Sequence, residues 1–408
     1  MKCGLLGRHL GHSYSPQIHA MLGSYSYSLF EREPEELESY LKDEDFTGSN
    51  VTIPYKKDVI PYLDELTGVA RKLGAVNTIV RCSDGSLLGH NTDYYGFQSL
   101  LDRTGVEVCG KKALVLGSGG ASRTVCAVLE EQGAQMIVIS RSGEDNYDNL
   151  HRHADAAVIV NTTPVGMYPN TGVSPVDLDQ FPHLKCVLDV VYNPAGTQLL
   201  LDAESRGIPC ANGLWMLVAQ AKESAEYFTG SPISDDVIEK IYKTLRAQME
   251  NIVLIGMPGC GKSTVGKILA EKTGKKFVDA DAEIVKTAGN PIPEIFAEGG
   301  EAAFRAVETK VLAALGKQSG CVIATGGGCV TRQENLPLLR QNGSLFWLKR
   351  EIGLLPKDGR PLSLSSDLQQ MYAIRRPMYE AFADFAIEND GSPEETAGKI
   401  IALWEDIT

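Results

Sequence analysis

The 408-residue sequence has no block rich in lysine or arginine, no CxxC pair, no regular cysteine framework and no apolar run long enough to span a bilayer. Each absence excludes something. With 52 acidic residues against 39 basic ones, the formal net charge is -13, and a polyanionic partner such as nucleic acid is disfavoured. The nine cysteines are scattered, as reduced thiols of a cytoplasmic protein are, and not as staples of a small secreted one. The opening stretch MKCGLLGRHLGHSYSP lacks the continuous apolar segment of a secretory signal, so the expectation is a cytoplasmic protein with no membrane partner. His9, His12 and His19 have no fixed ligand spacing and no carboxylate close in sequence, which argues against a metal cluster there.

What is present is globular: 43% hydrophobic and 22% charged residues with 41 glycines. The length exceeds one ordinary core, at a prior of roughly 150 residues per domain. Short apolar runs (CGLLG, SNVTIP, AVNTIV) alternate with polar helical stretches such as EPEELESYLKDE, which is α/β patterning. The run KKALVLGSGGASRTVCAVLEEQGAQMIVISRS reads as a strand at 113–117, a Gly-rich turn, a helix from about Ser122 to Gln132 and a strand at 136–140. Two further apolar strands, AAVIVN and CVLDVV, precede an apolar helix, LWMLVAQAKESAEYF. TGSPISDD then has linker chemistry, VIEKIYKTLRAQM has helical spacing, and a fresh strand IVLIG starts a second body. There are no internal repeats, since the two Gly-rich turns open different motifs.

The second of those turns is the more specific. Gly256 to Ser263 satisfy G-x-x-x-x-G-K-[ST] between an expected strand and an expected helix, the context that gives this pattern its meaning. Backbone N–H groups released by Gly256, Gly259 and Gly261 can turn toward phosphate oxygens. Lys262 reaches the β- and γ-phosphates and the Ser263 hydroxyl can ligate Mg²⁺, so ATP and Mg²⁺ are the expected ligands. Cys260 occupies a variable position of the loop, and Thr264 follows the Ser. Downstream, FVDADAEI places Asp279 and Asp281 on one face of an expected extended segment. EAAFRAVE carries Arg305, ATGGGCV carries Gly326, Gly327 and Gly328, DGRPL carries Arg360 and RRPMY carries Arg375. This set, in this order over residues 251–408, resembles the shikimate kinase family.

The resemblance implies roles. Asp281 would hold the acceptor diol and take its proton, Asp279 would act on Mg²⁺ beside Ser263, and Arg305 and Arg375 would grip a carboxylate bidentately. A ring would lie on the backbone of Gly326, Gly327 and Gly328. Arg360, in the lid, would neutralise charge on the transferring phosphoryl group. The lid stretch REIGLLPKDGRPL departs from the family in lacking a further arginine ahead of RPL.

The first turn, LGSGGASR, has Gly117, Gly119 and Gly120 but Ser122 where G-x-G-x-x-G/A ends. It fits a dinucleotide pyrophosphate at a helix N-terminus. Past the second strand, Ser140 and Arg141 suit a 2′-phosphate and favour NADP(H), while Glu144 and Asp145 keep NAD open. Around this unit GHSYSP (Ser13, Ser15), SNVTIPYK (Asn50, Thr52, Lys56), GAVNT (Asn77), GHNTD (Asp93) and NGLWMLVAQA (Gly213, Gln220) resemble the shikimate dehydrogenase family over residues 1–230. Reduction of a ring ketone needs hydride on one face and a proton for the developing alkoxide. Lys56 paired with Asp93 can supply that proton. The neutral groups Ser13, Ser15, Asn50, Thr52, Asn77 and Gln220 suit a polyhydroxylated ring, and Ala121 and Gly213 join the cofactor side. Three departures stand out: Trp215 where the family has a small residue, Asn212 for its acid, and a short stretch from Ser142 to Val158 that trims the cofactor domain.

The expected architecture is α/β throughout. Residues 1–100 would form a substrate-binding domain completed by helices from 214–248, and 101–213 a Rossmann-like NADP domain. Residues 229–250 would be linker and connecting helix, and 251–408 a P-loop kinase domain with a parallel sheet flanked by helices. The implied function is bifunctional: NADP-dependent reduction of 3-dehydroshikimate, then ATP-dependent phosphorylation of shikimate. Other readings stay open, with one half acting only as a binding module or the first half using quinate or NAD, and the oligomeric state open between monomer and homodimer.

Overall fold

The computed structural model describes residues 1–11, 13–43, 46–355 and 368–408. The chain divides into two compact units. One comprises Met1–Val165, Ser174–Tyr192 and Asp202–Tyr242; the other comprises Gly166–Val173, Asn193–Leu201 and Lys243–Thr408. Among the described residues, no helix is long and apolar enough to cross a membrane.

The first unit holds two sheets. Strands β1 (Lys2–Gly7), β2 (Ser26–Glu31), β3 (Gly48–Val51), β4 (Glu65–Leu66), β5 (Thr78–Arg81) and β6 (Leu87–His90) form a mixed sheet in the order β2-β1-β3-β5-β6-β4. β1 runs parallel to both β2 and β3, while β5 is antiparallel to both β3 and β6. Strands β7 (Lys112–Leu116), β8 (Gln135–Ile139), β9 (Val158–Asn161), β10 (Cys186–Asp189) and β11 (Cys210–Ala211) form an all-parallel sheet in the order β11-β10-β9-β7-β8. Ala113 to Leu116 and Val158 to Val160 are fully buried, which explains why ALVL and VIV read as unbroken apolar runs: strands covered on both faces have no polar side. The helix expected from Ser122 begins two residues earlier, at Gly120, because the Gly-rich turn supplies its first turn.

Helix Leu214–Thr229 stops at Gly230, which takes the left-handed conformation at φ 65°, and helix Asp236–Met249 follows. The first of these packs on helix Asp93–Thr104. Trp215, where the family has a small residue, sits in that seam. Its Nε1 donates to Ser99 Oγ at 2.8 Å, and the Arg103 guanidinium lies 3.9 Å from its ring. Ser99 and Arg103 are four apart and share one helix face, so a large ring at 215 finds both a hydrogen-bond acceptor and a cation there.

The second unit has one all-parallel sheet built from β12 (Asn251–Ile255), β13 (Lys276–Asp279), β14 (Cys321–Ala324), β15 (Gly343–Lys349) and β16 (Phe385–Glu388), in the order β13-β14-β12-β15-β16. Ile252 to Ile255, Val322, Ile323, Phe346 and Leu348 pack in its core, with Trp347 at 2% exposure. β12 is central, so the loop leaving its carboxyl end sits where parallel α/β sheets place ligands.

Candidate functional site

In the first unit, β1 and β3 are parallel neighbours, which puts the residues directly after Gly7 and those after Val51 at the same end of the sheet. Lys56 Nζ lies 2.5 Å from Asp93 Oδ2, and both side chains are partly exposed. Asp93 is the first residue of its helix, where a carboxylate meets the positive end of the helix dipole. Its other oxygen, Oδ1, accepts from Asn77 Nδ2 at 2.9 Å. Asn77 in turn accepts from the Thr92 backbone N–H at 2.7 Å, so its amide orientation is fixed by the residue next to Asp93.

Beneath this pair lies a polar knot. Ser224, fully buried on helix Leu214–Thr229, has its hydroxyl 2.8 Å from Asn50 Nδ2 and 2.9 Å from the hydroxyls of both Thr78 and Thr92. It donates to Gln220 O at 2.9 Å. Asn50 is 5% exposed, and its amide is spent on Ser224, Thr78 and the Tyr27 hydroxyl. It therefore belongs to the knot and offers little to a cleft. Gln220 Nε2 donates to Leu217 O. Ser13, Ser15 and Thr52 are half-buried, with Ser13 Oγ accepting from the Ser15 N–H at 3.2 Å.

On the parallel sheet, Gly117 has φ 104°, a conformation that disfavours side chains. Gly119 and Gly120 face open space at the start of a 12-residue helix that includes Ala121. Open backbone at a helix N-terminus suits a pyrophosphate. Ser140 is half-buried past the end of β8 and Arg141 is exposed beside it. Gly213 packs its backbone against Val190 O, leaving no room for a side chain.

In the second unit a cavity of about 490 Å³ is lined by Gly259, Gly261, Lys262, Ser263, Thr264, Asp279, Asp281, Arg305, Gly326, Gly327, Gly328 and Arg375. Gly256, Gly259 and Gly261 have φ of 141°, 82° and 99°, so the loop's shape depends on glycine. Lys262 Nζ donates to Gly256 O at 2.8 Å and to Met257 O at 3.0 Å, and Cys260 is fully buried. Ser263 Oγ donates to Asp279 Oδ2 at 2.7 Å, which brings together two oxygen groups of the kind hard cations take as ligands. The two aspartates are not on one extended segment as expected. Asp279 ends β13 and caps helix Ala280–Ala288, accepting from the Asp281 N–H at 3.0 Å, while Asp281 is exposed in the first turn. The aspartate side chain satisfies helix N–H groups that an extended strand would not present.

Arg305 is 5% exposed and Arg375 8%. Arg360 lies outside the described residues. Glu308, which no motif reading singled out, is fully buried and sits 2.6 Å from Arg305 Nη1. Burial raises its pKa, and Arg305 opposes that rise. Its i, i+3 spacing from Arg305 was the available signal. Gly328 is needed because a side chain there would collide with the Arg305 guanidinium. Sequence reading also missed Tyr379, whose hydroxyl donates to Gly327 O at 2.5 Å, and Asn389, whose amide holds Cys260 O at 2.5 Å and accepts from Thr396. Arg350, also unforeseen, lines the cavity.

Comparison with known proteins follows the same division. The family model "Shikimate dehydrogenase substrate binding domain" matches residues 5–79, and the "Shikimate kinase" model matches residues 258–405. The shikimate dehydrogenase (NADP(+)) of Clostridium perfringens strain SM101 is 37% identical over 267 residues, 60% of this chain and 98% of that protein. A chorismate mutase/shikimate 5-dehydrogenase fusion protein from Clostridium acetobutylicum superposes with a TM-score of 0.57 at 37% identity, covering 60% of this chain and 96% of that one. The shikimate 5-dehydrogenase of Thermus thermophilus, solved with NADP(H) and shikimate, gives 0.55 at 31% identity, with 60% and 99% covered. The chain belongs to the shikimate dehydrogenase family, and fused behind that part it carries a shikimate kinase domain.

Proposed function

We propose that the chain is a cytoplasmic bifunctional enzyme that reduces 3-dehydroshikimate with NADPH and then phosphorylates the resulting hydroxyl with ATP and Mg²⁺. In this reading residues 1–100, completed by helices from 214–248, bind the ring; 101–213 bind the dinucleotide; 229–250 connect; and 251–408 are the kinase. One observation carries it: a locked Lys56–Asp93 pair and a P-loop cavity with two buried arginines occur in one chain.

In the first unit, bound NADPH supplies hydride to the ring carbonyl carbon. Lys56 donates a proton from Nζ to the carbonyl oxygen as it becomes an alkoxide, and regains one from solvent. Asp93, held by Asn77, keeps that ammonium oriented, and in the reverse direction Lys56 accepts the hydroxyl proton. Ser13, Ser15, Thr52, Asn77 and Gln220 are the ring's hydrogen-bonding partners. Gly117, Gly119, Gly120, Ala121 and Gly213 line the dinucleotide's path, and Ser140 and Arg141 take the 2′-phosphate.

In the second unit, bound ATP–Mg²⁺ supplies the phosphoryl group. Asp281 orients the ring hydroxyl and accepts its proton. Arg305, backed by Glu308, and Arg375 hold the carboxylate. Lys262 exchanges the carbonyls of Gly256 and Met257 for phosphate oxygens, while Ser263 and Asp279 hold the metal. Arg360 completes the charge compensation.

A coupled assay on the full chain, starting from 3-dehydroshikimate, NADPH and ATP–Mg²⁺, tests the whole reading. NADPH oxidation and ADP release in equal amounts, with appearance of shikimate 3-phosphate, are expected. ADP release independent of the ring substrate, or no NADPH oxidation, would leave one half a binding module.

A further inference from the structure

A cavity of about 310 Å³ lies in the first unit, beside the start of helix Asp93–Thr104 and helix Leu214–Thr229. None of its lining residues belongs to the proposed ring or cofactor sites. Its walls are aromatic. The rings of His90 and Tyr227 stack with centroids 3.6 Å apart, and Tyr94 and Tyr95 also line the space. The Tyr94 hydroxyl donates to Glu131 and that of Tyr95 to Asp235, so both tyrosines bring π surface to the cavity while their donors are spent elsewhere. Burial lowers His90 to about 4, which keeps it uncharged at neutral pH.

Among these lining residues Asn91 and Glu223 each hold a buried acceptor oxygen with no donor, and Gln98 adds a side-chain amide to the wall. Asn91 is 6% exposed, and its Nδ2 donates to Ala75 O at 2.9 Å, which fixes the amide and leaves the buried Oδ1 without a partner. Glu223 Oε2 is likewise buried and unpartnered. Its neighbour Lys222 is paired with Glu226 at 3.0 Å and Asp235 at 2.8 Å and lies 5.5 Å from the Tyr95 ring centroid, so it acts on Glu223 through its charge and not through an ion pair. Two buried acceptor oxygens left in this state, one of them on the half-buried carboxyl of Glu223, cost free energy that a donor-only cation removes.

We propose that this cavity is a second ligand site, for a small organic primary ammonium compound. Its ammonium donates to Asn91 Oδ1 and Glu223 Oε2, and its organic body lies against the rings of His90, Tyr94, Tyr95 and Tyr227. The volume is at the lower end of the usual range for small-molecule sites, roughly 300–1,000 Å³, and cation recognition by aromatic walls has a known physical basis. An anion would meet the two acceptor oxygens Asn91 Oδ1 and Glu223 Oε2, whereas an ammonium favours the ionised form of Glu223, which burial pushes up to about 7. A zwitterion would bring its own carboxylate against Glu223, and a hard metal ion wants a shell of oxygens that rings do not provide.

Isothermal titration of the full chain with benzylamine, and with benzyl alcohol as the uncharged match, tests this. The result expected is saturable one-to-one binding of the amine, at least tenfold tighter than the alcohol, and weakened at least tenfold in Glu223→Gln. Tyr227→Leu, at a partly exposed position, should also weaken it while leaving the circular dichroism spectrum unchanged. Equal affinity for amine and alcohol, no saturation by the amine, or full affinity in both variants would overturn the proposal. None of these readouts depends on either enzymatic activity.

Discussion

The two units solve opposite electrostatic problems. Around Lys56 and Asp93 the supporting groups are neutral: Asn77, Thr78, Thr92, Ser224 and Asn50 share hydrogen bonds of 2.8 to 3.0 Å. The P-loop cavity is lined instead by charge of both signs, with Lys262, Arg305, Arg350 and Arg375 set against Asp279, Asp281 and Glu308. The difference follows the chemistry proposed for each. A ketone develops one negative charge, which one proton cancels, whereas phosphoryl transfer gathers several anionic oxygens that must be balanced throughout. The first site should therefore depend on precise placement of one pair, and the second on the summed field of many charges.

The largest expected effects separate the two. Lys56→Ala removes the proton donor and should lower dehydrogenase kcat by roughly 10²–10⁴-fold, the usual contribution of a positioned acid, with ATP-dependent phosphorylation of added shikimate unchanged. Lys262→Ala should do the converse, lowering kinase kcat by roughly 10²–10³-fold, as loss of one charge-stabilising donor does. Initial rates of each half-reaction on the same preparations check both. If either variant lowers both rates alike, the comparison of two independent sites fails.

A subtler pair asks whether neutral and charged supports behave differently. Ser224→Ala deletes a hydroxyl that touches Asn50, Thr78 and Thr92, each of which keeps a bond to another group, at a net cost of about 0.5–1.5 kcal/mol. Dehydrogenase kcat should fall about tenfold, on the scale of roughly 1.4 kcal/mol per tenfold, with a smaller change in KM, because the knot positions Asp93 without touching the ring. Glu308→Gln removes the charge facing Arg305, leaving Glu301 as the carboxylate paired with its buried guanidinium among the described residues. Here KM for shikimate in the kinase reaction should rise about tenfold and kcat change less, since carboxylate binding is lost and not transfer. Steady-state kinetics of the two half-reactions decide; the opposite split in either variant would contradict its assigned role.

Ser224 and Glu308 also mark the limit of what the chain's pattern discloses. The apolar runs at 113–116 and 252–255 and the P-loop were legible because local spacing or a compact motif carries them, whereas the pair Lys56 and Asp93, 37 residues apart, was legible through the family resemblance. Asn50 was legible as polar but not as buried, since its partner Ser224 is 174 residues away. Asp279 and Asp281 read as an extended pair because alternation favours a strand, and the capping bond that starts a helix between them is visible only once β13 ends. Trp215 had no reading beyond its size until Ser99 and Arg103 were seen to share a face. Asn50 with Ser224, Trp215 with Ser99 and Asn389 with Cys260 are contacts between segments far apart in sequence, which local pattern does not carry.

The smallest effect contrasts a buried glutamate, Glu308, with a half-buried one, Glu223. Burial raises both Glu308 and Glu223, but Glu308 faces Arg305, while Glu223 is pushed up to about 7 by burial and further by Glu226, with only Lys222 opposing. A carboxyl whose folded value exceeds its ordinary 4.5 keeps its proton in the folded chain where the unfolded chain has released it. Its contribution is therefore intact below about pH 4.5 and is lost as pH rises to about 7, after which it is constant. Glu223→Gln abolishes that loss. Melting of the first unit should show the variant gaining about 2–4 °C relative to the unaltered chain between pH 5 and pH 8, the shift roughly 1 kcal/mol produces in a body of this size. Melting curves that stay parallel across that range would mean Glu223 has a counter-charge after all, and benzylamine should then fail to bind beside it.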